Sequence, residues 1–320
     1  MSEQDFSFSD FSDGFVQSWP EDYRAGFVAI VGRPNAGKST LINALVGEKI
    51  AITANQPETT RKVIRGIVSR EAGQLVLVDT PGLHRPRTLL GQRLNDLVSE
   101  ALSDVDAVVL CLPADEKIGP GDRFLLEKVS AMKAPIFAVV TKSDKISREA
   151  LAQKLFAVGQ LADFAQIVPV SAVQHEQTDL LTELLLGQMP FSPPLYPQSA
   201  TTDESEESRM AELIREAALD GVRAELPHSI AVVIEDVEER IRKRGDHRPP
   251  IVDVRATIYV ERDSQKGIVI GKGGARMKTV GARARAGIEE LIGRKVFLDM
   301  RVKVAKDWQK DPKFLARLGF

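Results

Sequence analysis

Eight residues near the amino end, Gly32-Arg33-Pro34-Asn35-Ala36-Gly37-Lys38-Ser39, constrain this chain more than any other feature. They stand between an apolar, largely β-branched run, FVAIVG (27–32), and a helix-length stretch, STLINALVGE. The spacing is G-x-x-x-x-G-K-[ST], which between a strand and a helix forms a phosphate-cradling loop. Glycines let successive backbone N–H groups converge on phosphate oxygens with no Cβ in the way. The helix that follows points its positive end at the anion. A glycine-rich turn of no function is the competing reading. From average residue usage, a chance match in a chain of this length arises about once in a hundred.

The rest of the first half supplies the sheet such a loop needs. Short apolar runs recur at 27–32, 63–69, 74–79, 106–112, 136–141 and 166–171, with helix-length stretches such as RLNDLVSEALSD and FLLEKVSAM between most of them. Short buried strands alternating with helices predict an α/β fold, a doubly wound and mostly parallel sheet. The runs at 63–69 and 74–79 are too close for a crossover helix, so they predict a hairpin. A helix at 177–188 closes the unit.

Lys38 is placed to reach the β- and γ-phosphates of a bound nucleotide, and the Ser39 hydroxyl to ligate Mg2+. Gly32, Asn35, Ala36, Gly37, Lys38, Ser39 and Thr40 are the candidate phosphate contacts. Asp79-Thr80-Pro81-Gly82 ends the strand 74–79, where a carboxylate facing the loop can hold Mg2+ through water and the Gly82 N–H can sense a γ-phosphate. Alone, this tetrapeptide is more often a turn. Glu58-Thr59-Thr60-Arg61 lies between the first helix and the second strand, and a Thr hydroxyl there, Thr60 before Thr59, can complete the Mg2+ shell when the γ-phosphate is present. Thr141-Lys142-Ser143-Asp144 closes the strand 136–141, and Ser171-Ala172 closes the next. A carboxylate can accept both N–H bonds of guanine's N1/N2 edge, a pattern adenine lacks, and such a match discriminates strongly. Asp144 therefore argues for guanine, Lys142 for stacking along the base, and the Ala172 N–H for the guanine O6.

PFSPPLYPQ (190–198) holds four prolines in nine residues and predicts a linker. Beyond it the pattern changes to an amphipathic helix (207–224), strands near 230–238 and 251–260, helices at 264–270 and 275–292, and a strict period-two strand at 296–304. Gly271-Lys272-Gly273-Gly274 sits between the two helices, and a G-x-x-G loop in that setting clamps a single-stranded backbone. Lys272, Arg276 and Lys278 add charge attraction, while Ile268 and Ile270 offer an apolar groove. A lone G-x-x-G is weak; the surrounding element order strengthens it. In the tail, Trp308 and Phe314 stand among cations, where they either stack bases or pack the last helix.

Charge agrees with a nucleic-acid partner for the second half. Residues 241–320 hold 20 Lys+Arg against 9 Asp+Glu, whereas the first 240 hold 23 against 36, although the whole chain is near neutral at −2. A length of 320 residues suggests two domains at about 150 residues each. The expected limits are an arm at 1–24, a nucleotide domain at 25–189, a linker at 190–202 and a second domain at 203–320. No window is apolar enough for a membrane span, and the acidic start MSEQDFSFSDFSDGF resembles neither a secretory signal nor a transit peptide. These features predict a soluble cytosolic chain. One cysteine, Cys111, permits no internal disulfide and reads as core, and the isolated His175, His228 and His247 lack zinc spacing. The run DESEE (203–207) reads as a helix start.

The stretches GRPNAGKSTLINALVGEKIAIT, PETTR, VDTPGLH, PVSA, AELIREAALDGVRAELPHSIAV and IVIGKGGARMKTVG resemble the Era family of bacterial GTPases, and the resemblance runs over nearly the whole chain from residue 25. It implies a P-loop NTPase domain followed by an α+β type II KH domain, with GTP or GDP and Mg2+ as ligands. The metal ligands it implies are Ser39, Thr60 and Asp79, and the groups acting on the phosphoryl transfer Lys38, Thr60 and Gly82. Its partners are the 3′ end of 16S rRNA and the maturing small (30S) subunit; it implies a monomer and leaves room for peripheral association with the cytoplasmic face of the membrane. The chain departs from the family at Thr141, where N-K-x-D is usual and the asparagine both contacts the guanine ring and braces the P-loop. Leu83 stands where Ras-like enzymes carry a water-orienting Gln, which agrees with slow hydrolysis assisted by switch or partner groups. Asn35 is the residue that contacts a monovalent cation in related enzymes, and His84 and Arg85 read as exposed loop. Two other classes remain open from the residues alone: an assembly chaperone with a structural nucleotide, and an RNA-linked ATPase.

Overall fold

The structure is a computed structural model, and it describes residues 19–53, 64–79, 89–90, 92, 104–222, 229–240 and 250–318. The first sheet has six strands: β1 (Arg24–Gly32), β2 (Ile64–Arg70), β3 (Gly73–Asp79), β4 (Ala107–Pro113), β5 (Ile136–Thr141) and β6 (Gln166–Val170). Their order is β2-β3-β1-β4-β5-β6. Only β2 and β3 pair antiparallel, as the short gap between them predicts; the other pairs are parallel. Every residue of β3 and β4 is buried, as strands covered on both faces require.

Among the described residues four helices flank this sheet: α1 (Lys38–Val46), α2 (Pro120–Ser130), α3 (Arg148–Gly159) and α4 (Thr178–Leu186). Leu41, Ile42 and Leu45 of α1 join Val28, Ile30, Leu75 and Val109 in one core on one face. Leu125 and Val129 of α2 join Ala29, Val108 and Val140 on the other. β1 lies between β3 and β4, so the strand order reverses at Gly32. In an open α/β sheet, ligands bind beyond the strand ends at such a point. The helix expected over RLNDLVSEALSD lies outside the described residues.

The second sheet has the order β7 (Ala231–Glu239), β8 (Ile251–Val260), β9 (Lys295–Val304), antiparallel and then parallel. One face is covered by α5 (Glu206–Leu219), α6 (Asp263–Ile270) and α7 (Ala275–Ile292), whose Ile214, Val269, Val280 and Ile288 pack on Val254 and Ile258. The order helix, strand, strand, helix, helix, strand is the one read from the sequence, with α5 ending at Leu219 rather than 224. A short helix, α8 (Pro312–Arg317), turns back to pack on the opposite face through Trp308, Leu315 and Tyr259. Trp308 is 1% exposed and its Nε1–H donates to the Ser229 carbonyl at 3.0 Å. Phe314 meets Tyr259 edge-on at 4.9 Å. Of the two readings of the tail aromatics, packing is the one the structure shows.

The proline-rich connector is strapped to the first sheet. Gln74 of β3, fully buried, accepts the N–H groups of Leu195 and Tyr196 on Oε1 (2.8 and 2.9 Å) and donates from Nε2 to the Tyr196 carbonyl (2.9 Å). Its amide thus replaces one rung of a missing strand. Tyr23 and Arg24, placed in the arm by the sequence, belong to the first domain: Tyr23 is buried and Arg24 opens β1.

Candidate functional site

The loop 32–37 leaves β1 and enters α1 through two left-handed residues, Asn35 (φ 60°) and Gly37 (φ 89°). Glycine and asparagine tolerate that region best. Lys38 folds back over the loop, its Nζ donating to the carbonyls of Gly32 (3.0 Å) and Arg33 (3.1 Å). Burial pushes its ammonium below the usual lysine range, against the opposing pull of Asp79. A phosphate arriving there supplies the counter-charge this buried cation lacks. The Cys111 thiol, on β4, is core and is pushed up to about 12 by burial.

Ser39 and Asp79, assigned to Mg2+ from two separate motifs 40 residues apart, meet: the Ser39 hydroxyl donates to Asp79 Oδ2 at 2.9 Å. Asp79 is fully buried at the carboxyl end of β3, in register with Ile30. A hydroxyl and a carboxylate beside a phosphate loop are the hard oxygen donors Mg2+ takes. Among the described residues no group of three or more His, Cys, Asp or Glu forms a self-sufficient metal cage. Thr59, Thr60, Thr80, Pro81, Gly82, Leu83, His84 and Arg85 lie outside the described residues.

The base-reading residues stand at the carboxyl ends of β5 and β6, on the same edge of the sheet as the phosphate loop. Asp144 follows β5 in a tight turn, and the buried Ser171 at the end of β6 donates to its Oδ1 at 2.7 Å. Ser171 is held in turn by the Gln174 N–H (3.2 Å) and by paired backbone bonds with Glu176. Ala172 therefore sits in a closed turn beside Asp144. Lys142 adopts a left-handed backbone (φ 57°), and its ammonium lies 3.7 Å from Asp115 and 3.6 Å from Glu116. Thr141, 3% exposed, donates its hydroxyl proton to the Ala36 carbonyl at 2.6 Å and so ties β5 to the phosphate loop.

Sequence reading missed the groups that hold this frame. Arg33 donates to Asp122 (2.7 Å) and Glu116 (3.0 Å), fastening the phosphate loop to α2; the Asp122 bond leads in raising its pKa. Residues 48–53, between α1 and the segment carrying Thr60, dock on α5. Glu48 pairs with Arg209, Lys49 with Glu216 (2.6 Å), and the Thr53 N–H donates to Glu216 at 3.0 Å. Ile52 enters the second domain's core. On the far side of that segment, β2 is bound by the Ile67 N–H to Thr201 (2.9 Å) and by Arg65 to Asp203 (2.9 Å). Leu90, shortly after the Asp79–Gly82 segment, packs with Trp308, Leu315 and Leu318. A long sequence separation hides each of these contacts.

In the second domain, Gly271, Gly273 and Gly274 all take positive φ (73°, 59° and 76°). A Cβ on Gly271 would stand 2.7 Å from the Cβ of Arg276, so only glycine fits. Lys272 and Lys278 are exposed beside the loop, as is Ile268 at 53%, while Ile270 is half-buried. Arg276 points elsewhere. Its guanidinium donates to the Ala218 and Asp220 carbonyls at the end of α5, where a helix leaves acceptors unpaired.

A family model described as 50S ribosome-binding GTPase matches residues 27–142, and a KH domain model matches residues 225–309. The GTPase Era of Mycobacterium sp. (strain KMS) is 60% identical over 302 residues, covering 93% of this chain and 99% of the relative. That of Streptomyces coelicolor is 57% identical over 304 residues, covering 93% and 95%. Two solved structures superpose over most of both chains at 33% identity. One is an Aquifex aeolicus Era variant bound to GDP and AlF4−, with a TM-score of 0.86 and coverage of 92% and 99%. The other is Era in complex with MgGDPNP and nucleotides 1506–1542 of 16S ribosomal RNA, with a TM-score of 0.83 and coverage of 93% and 99%. With both domains matched in order and identity this high along nearly its full length, the chain belongs to the Era family of GTPases.

Proposed function

We propose that this chain is a GTP-hydrolysing switch that holds the 3′ end of 16S rRNA and assists assembly of the small ribosomal subunit. The observation that carries the nucleotide reading is the placement, along one edge of the parallel sheet, of Lys38 and Ser39–Asp79 with a Ser171-oriented Asp144. The likeness to an Era bound to MgGDPNP and 16S rRNA supports the RNA reading.

Lys38 exchanges its two carbonyl partners for β- and γ-phosphate oxygens and balances the charge that grows as the terminal phosphoryl leaves. Ser39 and Asp79 would hold Mg2+, which would supply positive charge to the phosphates. The Gly82 N–H and the Thr60 hydroxyl are the groups that sense the γ-phosphate, while Gly32, Asn35, Ala36, Gly37 and Thr40 line the phosphate path. Asp144 accepts the N1 and N2 hydrogens of guanine, Lys142 lies along the base, and the Ala172 N–H faces O6. With Leu83 in place of a water-orienting side chain, hydrolysis is slow until a partner assists. Gly271–Gly274 approach the RNA backbone, Lys272 and Lys278 supply charge, and Ile268 and Ile270 line the base groove.

The domain limits we propose are those read from the sequence, 25–189 and 203–320, with the first extended back to the buried Tyr23. The chain works as a monomer, and its basic last 80 residues give it an affinity for anionic membrane surfaces. Among the described residues no helix is long and apolar enough to cross a membrane. Asp144→Asn tests the base reading: an amide suits the 2-oxo group of xanthine, so GTP binding falls and XTP binding appears. Preferential binding of ATP by the wild-type protein overturns the reading.

A further inference from the structure

The nucleoside groove runs from the loop 32–38, at the phosphates, to Asp144, at the N1/N2 edge of the base. Thr141 stands between them as the last residue of β5, beside Pro113 of β4 and Val170 of β6. In the guanine reading above, with the phosphates on the loop and the Watson–Crick edge on Asp144, position 141 lies between the two and is the side from which N7 would be read. Guanine N7 is an acceptor only, so reading it takes a donor.

A threonine hydroxyl owns a single proton. Here that proton goes to the Ala36 carbonyl at 2.6 Å, in a buried setting. The side chain is also fixed against the loop: a Cβ on Gly37 would sit 3.5 Å from both the Cβ and Oγ1 of Thr141. Turning the hydroxyl to N7 strands a buried carbonyl, which cancels what the new bond gains. The neighbouring donors face other partners. The Lys142 ammonium lies toward Asp115 and Glu116, and the Ser171 hydroxyl donates to Asp144.

We infer that this chain leaves guanine N7 unread, and therefore takes 7-deazaguanine nucleotides on equal terms with GTP and GDP. The inference rests on the guanine reading above and deepens it. Specificity then comes from the Watson–Crick edge alone, and position 141 keeps only the task of bracing the phosphate loop. An asparagine amide, with two protons, can brace Ala36 and reach N7 together.

Competition between GDP and 7-deaza-GDP on the full-length protein with Mg2+ tests this. The wild type is expected to bind the two within about twofold, and Thr141→Asn to favour GDP by about tenfold, the usual worth of one buried hydrogen bond. A wild-type preference for GDP of about tenfold overturns the inference, as does a Thr141→Asn protein that still binds both equally. Should Thr141→Asn fail to fold, the wild-type ratio decides alone. If neither nucleotide binds, or ADP competes equally, the guanine reading itself fails and takes the inference with it.

Discussion

The carboxylate of Glu216, on the first helix of the second domain, accepts the backbone N–H of Thr53 at 3.0 Å. The same carboxylate pairs with Lys49 at 2.6 Å. Thr53 is the last described residue before the segment that carries Thr60, and β2, after that segment, is tied to Thr201 and Asp203. Both flanks of a segment expected to respond to the γ-phosphate are therefore anchored to the connector and α5. The end of α5 in turn holds Arg276, which packs against Gly271. These contacts tie Thr53 and β2 to the connector and α5, and the end of α5 to the residue packed on the G-x-x-G loop.

Glu216→Gln keeps the shape but loses the ion pair, and is expected to cost about 1 kcal/mol of stability. Its larger effect falls on coupling. The ratio of RNA affinities in the GDPNP and GDP states drops toward one, and by linkage RNA stops favouring GDPNP over GDP. Measuring all four affinities checks both halves of the cycle. A variant with the wild-type ratio rules Glu216 out of the coupling.

Lys38 gives a pH dependence with a definite sign. Burial holds its pKa below the usual lysine range in the free protein, and bound phosphate stabilises the ammonium and raises it. Nucleotide affinity therefore falls as pH rises through the lowered free-state pKa, with proton uptake on binding in that window. Calorimetry of GDP binding in buffers of different ionisation enthalpy measures the uptake. Lys38→Ala removes the dependence, and nucleotide affinity falls by about a hundredfold or more, the scale of a charged hydrogen-bonded partner.

Gly271→Ala separates the two activities. Its φ of 73° and the 2.7 Å approach to Arg276 leave no room for a methyl. The G-x-x-G loop distorts and RNA affinity is lost, while GDP affinity stays at the wild-type level. Lys272→Ala keeps the loop and lowers the slope of log affinity against log salt by about 0.7, the value for one single-strand phosphate contact.

Gln74→Leu strands the N–H groups of Leu195 and Tyr196 in a partly buried setting and removes the polar end of a fully buried side chain. It is expected to destabilise the protein by about 2–4 kcal/mol, read as a lower denaturant midpoint. A surface-like cost below about 0.5 kcal/mol contradicts the strapped connector.

What the sequence disclosed depended on separation along the chain. The phosphate loop was legible because its eight residues act locally, and the strands because β-branched runs bounded by turns repeat. The meeting of Ser39 with Asp79 was legible in outline, since the start of α1 follows the phosphate loop after β1 and Asp79 ends the neighbouring parallel strand β3. The Thr141 brace was only half legible. The residue type showed what one hydroxyl can replace, but not that Ala36 takes its proton from 105 positions away. Glu216 was invisible, since an exposed-looking glutamate on an amphipathic helix carries no mark of a partner 163 residues earlier. Arg276 was read as a cation for RNA because its neighbours are basic. The unpaired carbonyls at the end of α5 claim it, and those appear only when the helix is placed.

The most direct test measures the affinity of the full-length, Mg2+-loaded protein for an oligonucleotide with the 3′-terminal sequence of 16S rRNA, once with GDPNP and once with GDP. Tighter binding with GDPNP is expected, by about 5- to 150-fold, the range of a typical coupling free energy. Equal affinity in the two states contradicts a nucleotide-driven RNA switch.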